Sequence, residues 1–86
     1  MNRWKIEWTI QALRDIEALD RTVAKRVLTK LESIAADPHR ALRRLKDSDY
    51  HRMRVGDYRV IALLSAQANT VIVQRVGHRR SFYDEL

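Results

Sequence analysis

Tyr50-His51-Arg52-Met53-Arg54-Val55-Gly56-Asp57-Tyr58-Arg59-Val60 is the stretch around which the rest of the chain can be arranged. From Tyr50 to Val55 the residue types alternate as in a strand. Gly56-Asp57, with Gly first, then makes a two-residue turn of the kind that joins antiparallel strands. The turn predicts the register: Val55 faces Tyr58, Arg54 faces Arg59, Met53 faces Val60 and Arg52 faces Ile61. Side chains alternate along a strand with period two, so Arg52, Arg54 and Arg59 share one face while Met53, Val55, Tyr58 and Val60 share the other. Like charges directly opposite one another across a ladder are destabilising. A chain that keeps Arg54 against Arg59 either lets two surface side chains splay into water or holds something anionic between them.

Upstream, Trp4, Ile6 and Trp8 alternate with Arg3, Lys5 and Glu7, the pattern of a strand with one buried face, and the two tryptophans read as core anchors. Thr9 is a suitable helix N-cap, and Leu13, Ile16 and Leu19, with Ala12, form an apolar stripe for a short first helix. Asp20 can cap a second helix whose apolar positions are Val23, Val27, Leu31 and Ile34, with Ala24, Leu28 and Ala35. Pro38 pushes Asp37 out of the helical region, so this helix is predicted to end near Ala36. Arg21, Lys25, Arg26 and Lys30 share it with Glu32 and read as a solvated face rather than a DNA-reading one.

From His39 to Asp49 the chain reads as a polar, basic loop with room for one helical turn, anchored by Leu42 and Leu45 and closed by an Asp47-Ser48-Asp49 turn. Tyr58 to Leu64 is apolar on both faces, as in an interior strand. After a turn at Gln67 to Asn69, the β-branched run Thr70 to Val76 makes a last long strand, ended by Gly77. His78 to Tyr83 form a tail able to fold back across the sheet. The expected class is α+β: strand, helix, helix, then three strands, with two helices on one face of a mainly antiparallel four-stranded sheet.

With 86 residues the chain is expected to be a single domain, 1–86, with one core. Apolar residues make up 45% and charged residues 33%, with two Gly and one Pro, a composition that folds. The formal charge is +6 and the pI about 10.3, which implies an anionic partner. Residues 1–38 hold seven basic against six acidic residues, whereas residues 39–86 hold ten against five. Thirteen of the seventeen basic residues are Arg, which suits bidentate contact with phosphate. An acidic protein surface would attract the same residues. The absence of Cys excludes disulfides and cysteine-ligated metal. No apolar run approaches a membrane span and no secretion signal is evident, so no membrane partner and a cytoplasmic location are expected.

Taken together, the helical pair, the segment into Leu45-Lys46, the Tyr50–Val60 hairpin and the Arg75-Val76-Gly77-His78-Arg79-Arg80-Ser81-Phe82-Tyr83 ending resemble the RelE/ParE superfamily of bacterial and archaeal toxins, the RelE branch in particular. The resemblance covers nearly the whole chain. It implies ribosome-dependent, metal-free and cofactor-free endonucleolytic cleavage of messenger RNA in the ribosomal A site. It also implies neutralisation by a cognate RelB-like antitoxin that wraps the toxin in a hetero-oligomer. Carried over by position, it implies catalytic roles for Arg54, Arg59, Arg79 and Tyr83, and RNA contacts from Arg52, Lys46, His78 and Arg80. Some family members carry Lys where this chain has Arg52 and Arg54.

Metal-free RNA cleavage uses the adjacent 2′-OH as nucleophile, so the protein must help deprotonate it, stabilise charge on phosphorus and assist departure of the 5′-oxygen. Guanidinium groups serve the second task and cannot serve as an ordinary base. Tyr83, His78 and His51 are the candidate proton acceptors, with His51 last because alternation turns it away from Arg52. Two rivals share the resemblance: a ParE-like toxin that poisons DNA gyrase without catalysis, and an inactive relative kept as a binding module.

Overall fold

The computed structural model describes residues 3–46 and 48–78. Its central hairpin pairs β3 (Tyr50–Val55) with β4 (Tyr58–Ser65) in the predicted register, Val55 opposite Tyr58 and Arg54 opposite Arg59. Gly56 adopts φ +60°, which only the first turn position needs and which a residue without Cβ takes at little cost. β4 lies in the middle of a sheet ordered β1-β5-β4-β3-β2, where β1 is Lys5–Trp8, β2 is Arg43–Arg44 and β5 is Thr70–His78. β1 runs parallel to β5 and the other pairs are antiparallel.

The class is α+β as expected, with five strands instead of four. The additional strand, β2, sits in the stretch read as a loop and pairs Arg43 with Arg52 and Arg44 with His51. Two arginines carry no apolar alternation, so only the ladder to β3 reveals them as a strand. A single 3-10 turn, Pro38–Arg40, precedes it, and Leu42 is buried as an anchor. The last strand continues through Gly77 to His78, because both residues still pair with β4, at Arg59 and Tyr58.

Two helices, α1 (Ile10–Ala18) and α2 (Arg21–Ile34), start where the caps predict. Thr9 Oγ1 accepts from the Ala12 amide at 3.0 Å and Asp20 Oδ2 from the Thr22 amide at 3.1 Å. α2 ends at Ile34, and its terminal carbonyls are taken up by the Asp37 amide and, at Ala35, by the Trp4 amide at 2.7 Å. Ala12, Val27, Leu31 and Ile34 form the core with Met53, Val60, Ala62, Val71, Val73 and Val76. Trp4, Ile6 and Trp8 pack against it, half-buried, as the alternation predicts. Leu13 and Leu28 do not join them, being 45% and 42% exposed. Ala12 and Ile16 face the sheet one turn apart, which rotates Leu13 off the contact line.

Two irregularities shape β5. Its register against β4 shifts between Ile61 and Ala62, so Ile61 pairs with Arg75 while Ala62 pairs with Val73. The extra residue, Gln74, turns Val76 into the core after Val71 and Val73, and sets Gly77 opposite Arg59. β1 is only four residues long and pairs with β5 no further than Val73. Beyond it, α1 takes over the edge: the Thr9 hydroxyl donates to the Gln74 carbonyl, and Asp15 Oδ2 accepts from the Val76 amide at 2.9 Å and Arg75 Nε at 2.8 Å.

Burial pushes the Asp15 carboxyl up, but the bonds from Arg75, Val76 and Gln11 and the Arg75 charge outweigh it, and its pKa lies below the ordinary value. Because the folded pKa is the lower one, Asp15 contributes its full stabilisation above the ordinary carboxylate pKa and loses it as pH falls through the folded value. Asp15→Asn is expected to cost about 1–3 kcal/mol near neutral pH. Denaturant melts should show the gap to the wild type closing below about pH 4. A gap of constant size down to acid unfolding would mean that the carboxylate charge is not what holds this edge.

Candidate functional site

The face of the sheet turned away from the helices is organised in rows that cross the strands. One row runs Arg43, Arg52, Ile61, Arg75 and the next Arg54, Arg59, Gly77. Because β2 begins only at Arg43, opposite Arg52, no described strand pairs with β3 beyond Arg52 on that side. A cleft of about 430 Å³ opens there, lined by Lys30, Arg40, Arg43, Arg52, Arg54 and Arg59, with Ala41 and Met53 at its floor. Six of its eight lining residues are cationic and none is acidic. At a separation of a few ångström, like charges near a protein surface repel by up to about 4 kcal/mol per pair at an effective dielectric of 20, so the cleft selects for anions.

The side chains are held to different degrees. Arg54 Nε donates to the Gly56 carbonyl at 3.1 Å, which lays its guanidinium along the turn. Arg59 is half-buried and its Nη1 is removed from solvent, whereas Arg52 and Arg54 are exposed. Gly77, opposite Arg59, projects no side chain of its own into the row.

Of the residues singled out in the sequence, Arg52, Arg54 and Arg59 come together in this cleft. Lys46 does not line it. His78 pairs with Tyr58, whose face is that of Met53 and Val60, and the two rings meet edge to face at 5.5 Å. His78 thus stands on the side away from Arg54 and Arg59, where alternation along β5 puts it once Gly77 lies opposite Arg59. His51 also lies on the helix side, its ring 6.5 Å from that of His39, which in turn meets Trp4 at 5.6 Å. Arg79, Arg80 and Tyr83 fall outside the described residues.

Arg40 and Arg43 were not singled out in the sequence, and Lys30 was read there as part of a solvated helix face. They reach the cleft from α2, the 3-10 turn and β2, and only the tertiary fold brings those elements to one edge. Among the described residues lining the cleft there is charge to neutralise a phosphodiester and no group that accepts a proton near neutral pH. Among the described residues no three His, Asp or Glu side chains gather as metal ligands would. No described helix is long and apolar enough to cross a membrane.

The family model described as the ParE toxin of the type II toxin-antitoxin system, parDE, matches residues 6–83. The chain belongs to this toxin family, within the RelE/ParE superfamily. It is a type II toxin-antitoxin toxin. Its fold is that of RelE toxins. It is similar to a chain of the RelBE2 toxin-antitoxin complex of Mycobacterium tuberculosis, with a TM-score of 0.82 at 23% identity over 91% of this chain and 100% of that one. The archaeal RelE-RelB complex of Pyrococcus horikoshii gives 0.77 at 18% identity, over 93% and 99%. The YoeB/ParE toxin of Agrobacterium tumefaciens gives 0.73 at 17%, over 86% and 96%. No curated protein matches the chain. At these identities the structural likenesses establish the fold, which toxins named RelE and toxins named ParE share.

If the facing guanidiniums of the toxin are kept for a ligand, relieving them should help the unliganded fold. Arg54→Gln is expected to raise stability by about 0.5 kcal/mol in low-salt denaturant melts, with the gain vanishing in high salt. A loss of stability would show that Arg54 is already compensated within the chain.

Proposed function

We propose that this toxin is a ribosome-dependent messenger RNA endoribonuclease that needs no metal or other cofactor. The observation that carries the reading is the cleft itself: among its described lining residues, six cations including the facing Arg54 and Arg59, and no carboxylate. In the proposed reaction the 2′-oxygen attacks the adjacent phosphorus, the O2′–P bond forms and the P–O5′ bond breaks. The products are a 2′,3′-cyclic phosphate and a 5′-hydroxyl. Arg54 and Arg59, with Arg79 from the C-terminal segment, stabilise the additional negative charge on the phosphoryl oxygens, where preorganised donors contribute most. Arg52 holds the strand, with Lys46 and Arg80 as further RNA contacts. Tyr83 is assigned proton transfer, since His51 and His78 face the other way.

Neutralisation of such a site calls for a partner of opposite charge. The solved neighbours include RelE toxins bound to RelB antitoxins. By the same reading, a cognate RelB-like antitoxin covers the arginine face with an acidic or amphipathic segment, forming a hetero-oligomer. A second reading, gyrase poisoning without catalysis, has one observation in its favour: the matching family model is that of ParE toxins.

Purified toxin added to translating ribosomes is expected to cut messenger RNA at the A-site codon. Arg79→Ala should lower the rate by about a hundredfold or more while the melting temperature is retained. Intact messenger RNA together with inhibited gyrase supercoiling would replace the nuclease by the gyrase reading.

A further inference from the structure

A second cationic cleft, of about 550 Å³, lies between α2 and the β3–β4 turn. Its helical wall is Thr22, Lys25, Arg26, Thr29, Lys30 and Ser33, which recur every three to four residues and so form one stripe roughly 16 Å long on α2. Arg54 and Gly56 make the opposite wall. Lys30 and Arg54 also line the sheet cleft, so the two clefts share a border and form one cationic surface.

Gly56 brings the charges of both walls together. Arg54 donates to its carbonyl, and the Arg26 guanidinium rests against its Cα side, with Nη2 only 3.5 Å from where a Cβ would stand. Among the described residues no carboxylate lies within ion-pair distance of Lys25, Arg26, Lys30 or Arg54. Acids three or four residues from a helical cation would offset its charge; in this stripe the members at those spacings are Thr22, Thr29 and Ser33, and Arg26 has Lys30 at i+4.

We propose that this cleft is a second phosphate-binding track, on which a polynucleotide backbone continues past the sheet cleft without being read in sequence. Lys, Arg, Ser and Thr are the side chains that contact phosphate and sugar oxygens. A docked amphipathic peptide would need apolar anchors at helical spacing, and Val55 is the only sizeable apolar residue in the lining. The inference rests on the reading of the sheet cleft as an RNA site, since one strand occupies both.

The test is equilibrium binding of the full chain to a labelled single-stranded 2′-O-methyl oligonucleotide, which lacks the nucleophile and cannot be cut, over a range of salt. Lys25→Gln/Arg26→Gln, at positions that line only the second cleft, should weaken binding at low salt and reduce the slope of log K against log salt by about 1.4, two single-strand phosphate contacts. The charge-preserving Lys25→Arg/Arg26→Lys variant should keep the slope, which separates lost charge from altered folding. Arg52→Gln reports on the sheet cleft alone. An unchanged slope in the glutamine double variant while Arg52→Gln weakens binding overturns the second track and leaves the RNA site standing. If Arg52→Gln has no effect either, both fail. Lost affinity for a polyglutamate peptide with unchanged oligonucleotide binding would assign the cleft to an acidic protein and also overturn the proposal.

Discussion

Arg54 and Arg59 occupy one register position of the central hairpin, and the arrangement cannot relax by sliding. A slip of one residue would bring Met53 and Val60, now 2% and 0% exposed, out of the core and turn the arginines into it. Burying those two apolar side chains is worth about 1.5–3 kcal/mol each, against roughly 0.2–1 kcal/mol for a facing like-charge pair. The core wins, and the two arginines stay opposite one another on the face away from the helices. Positive potential there is a built-in property of the fold, set by the Gly56 turn and by the apolar residues behind it.

The neighbouring elements extend this potential. β2 begins only at Arg43, opposite Arg52, so the edge of β3 beyond Arg52 is left unpaired among the described residues and Lys30 and Arg40 can approach it from the helix side. The bulge at Gln74 puts Val76 in the core and Gly77, without a side chain, opposite Arg59. α1 holds that half of β5 through Thr9 and Asp15 where β1 has run out. These are tertiary supports for one surface, and each lies at the edge of the sheet and not in its centre. The RelE and ParE names attached to similar folds fit this picture, because chemistry depends on which side chains fill the open face while the framework beneath is common.

The sequence makes some of this legible and hides the rest for physical reasons. Alternation plus a Gly-Asp turn leaves few registers open, so the arginine pair follows from a ten-residue stretch. The helix starts follow from Thr9 and Asp20, whose side chains satisfy backbone amides. Arg43–Arg44 could not be read as a strand, since it has no apolar face and exists only by pairing with β3. The bulge shows in the sequence only as valines spaced two and then three apart, at positions 71, 73 and 76. Missing that shift also hid the side on which His78 stands. Leu13 and Leu28 fit an apolar stripe as well as their neighbours do, and helix rotation decided against them. Lys30, Arg40 and Arg43 join the cleft through chain folding alone, which no local pattern announces.

If the repulsion at Arg54 and Arg59 exists to hold an anion, those two guanidiniums should report the same binding event. Nuclear magnetic resonance of the arginine Nε–Hε groups, followed while a dinucleotide phosphodiester is added, measures this directly. The account predicts that Arg54 and Arg59 shift together along one saturating curve, ahead of the arginines outside the cleft. Shifts spread evenly over all thirteen arginines, or an unmoved Arg54 and Arg59, would contradict it.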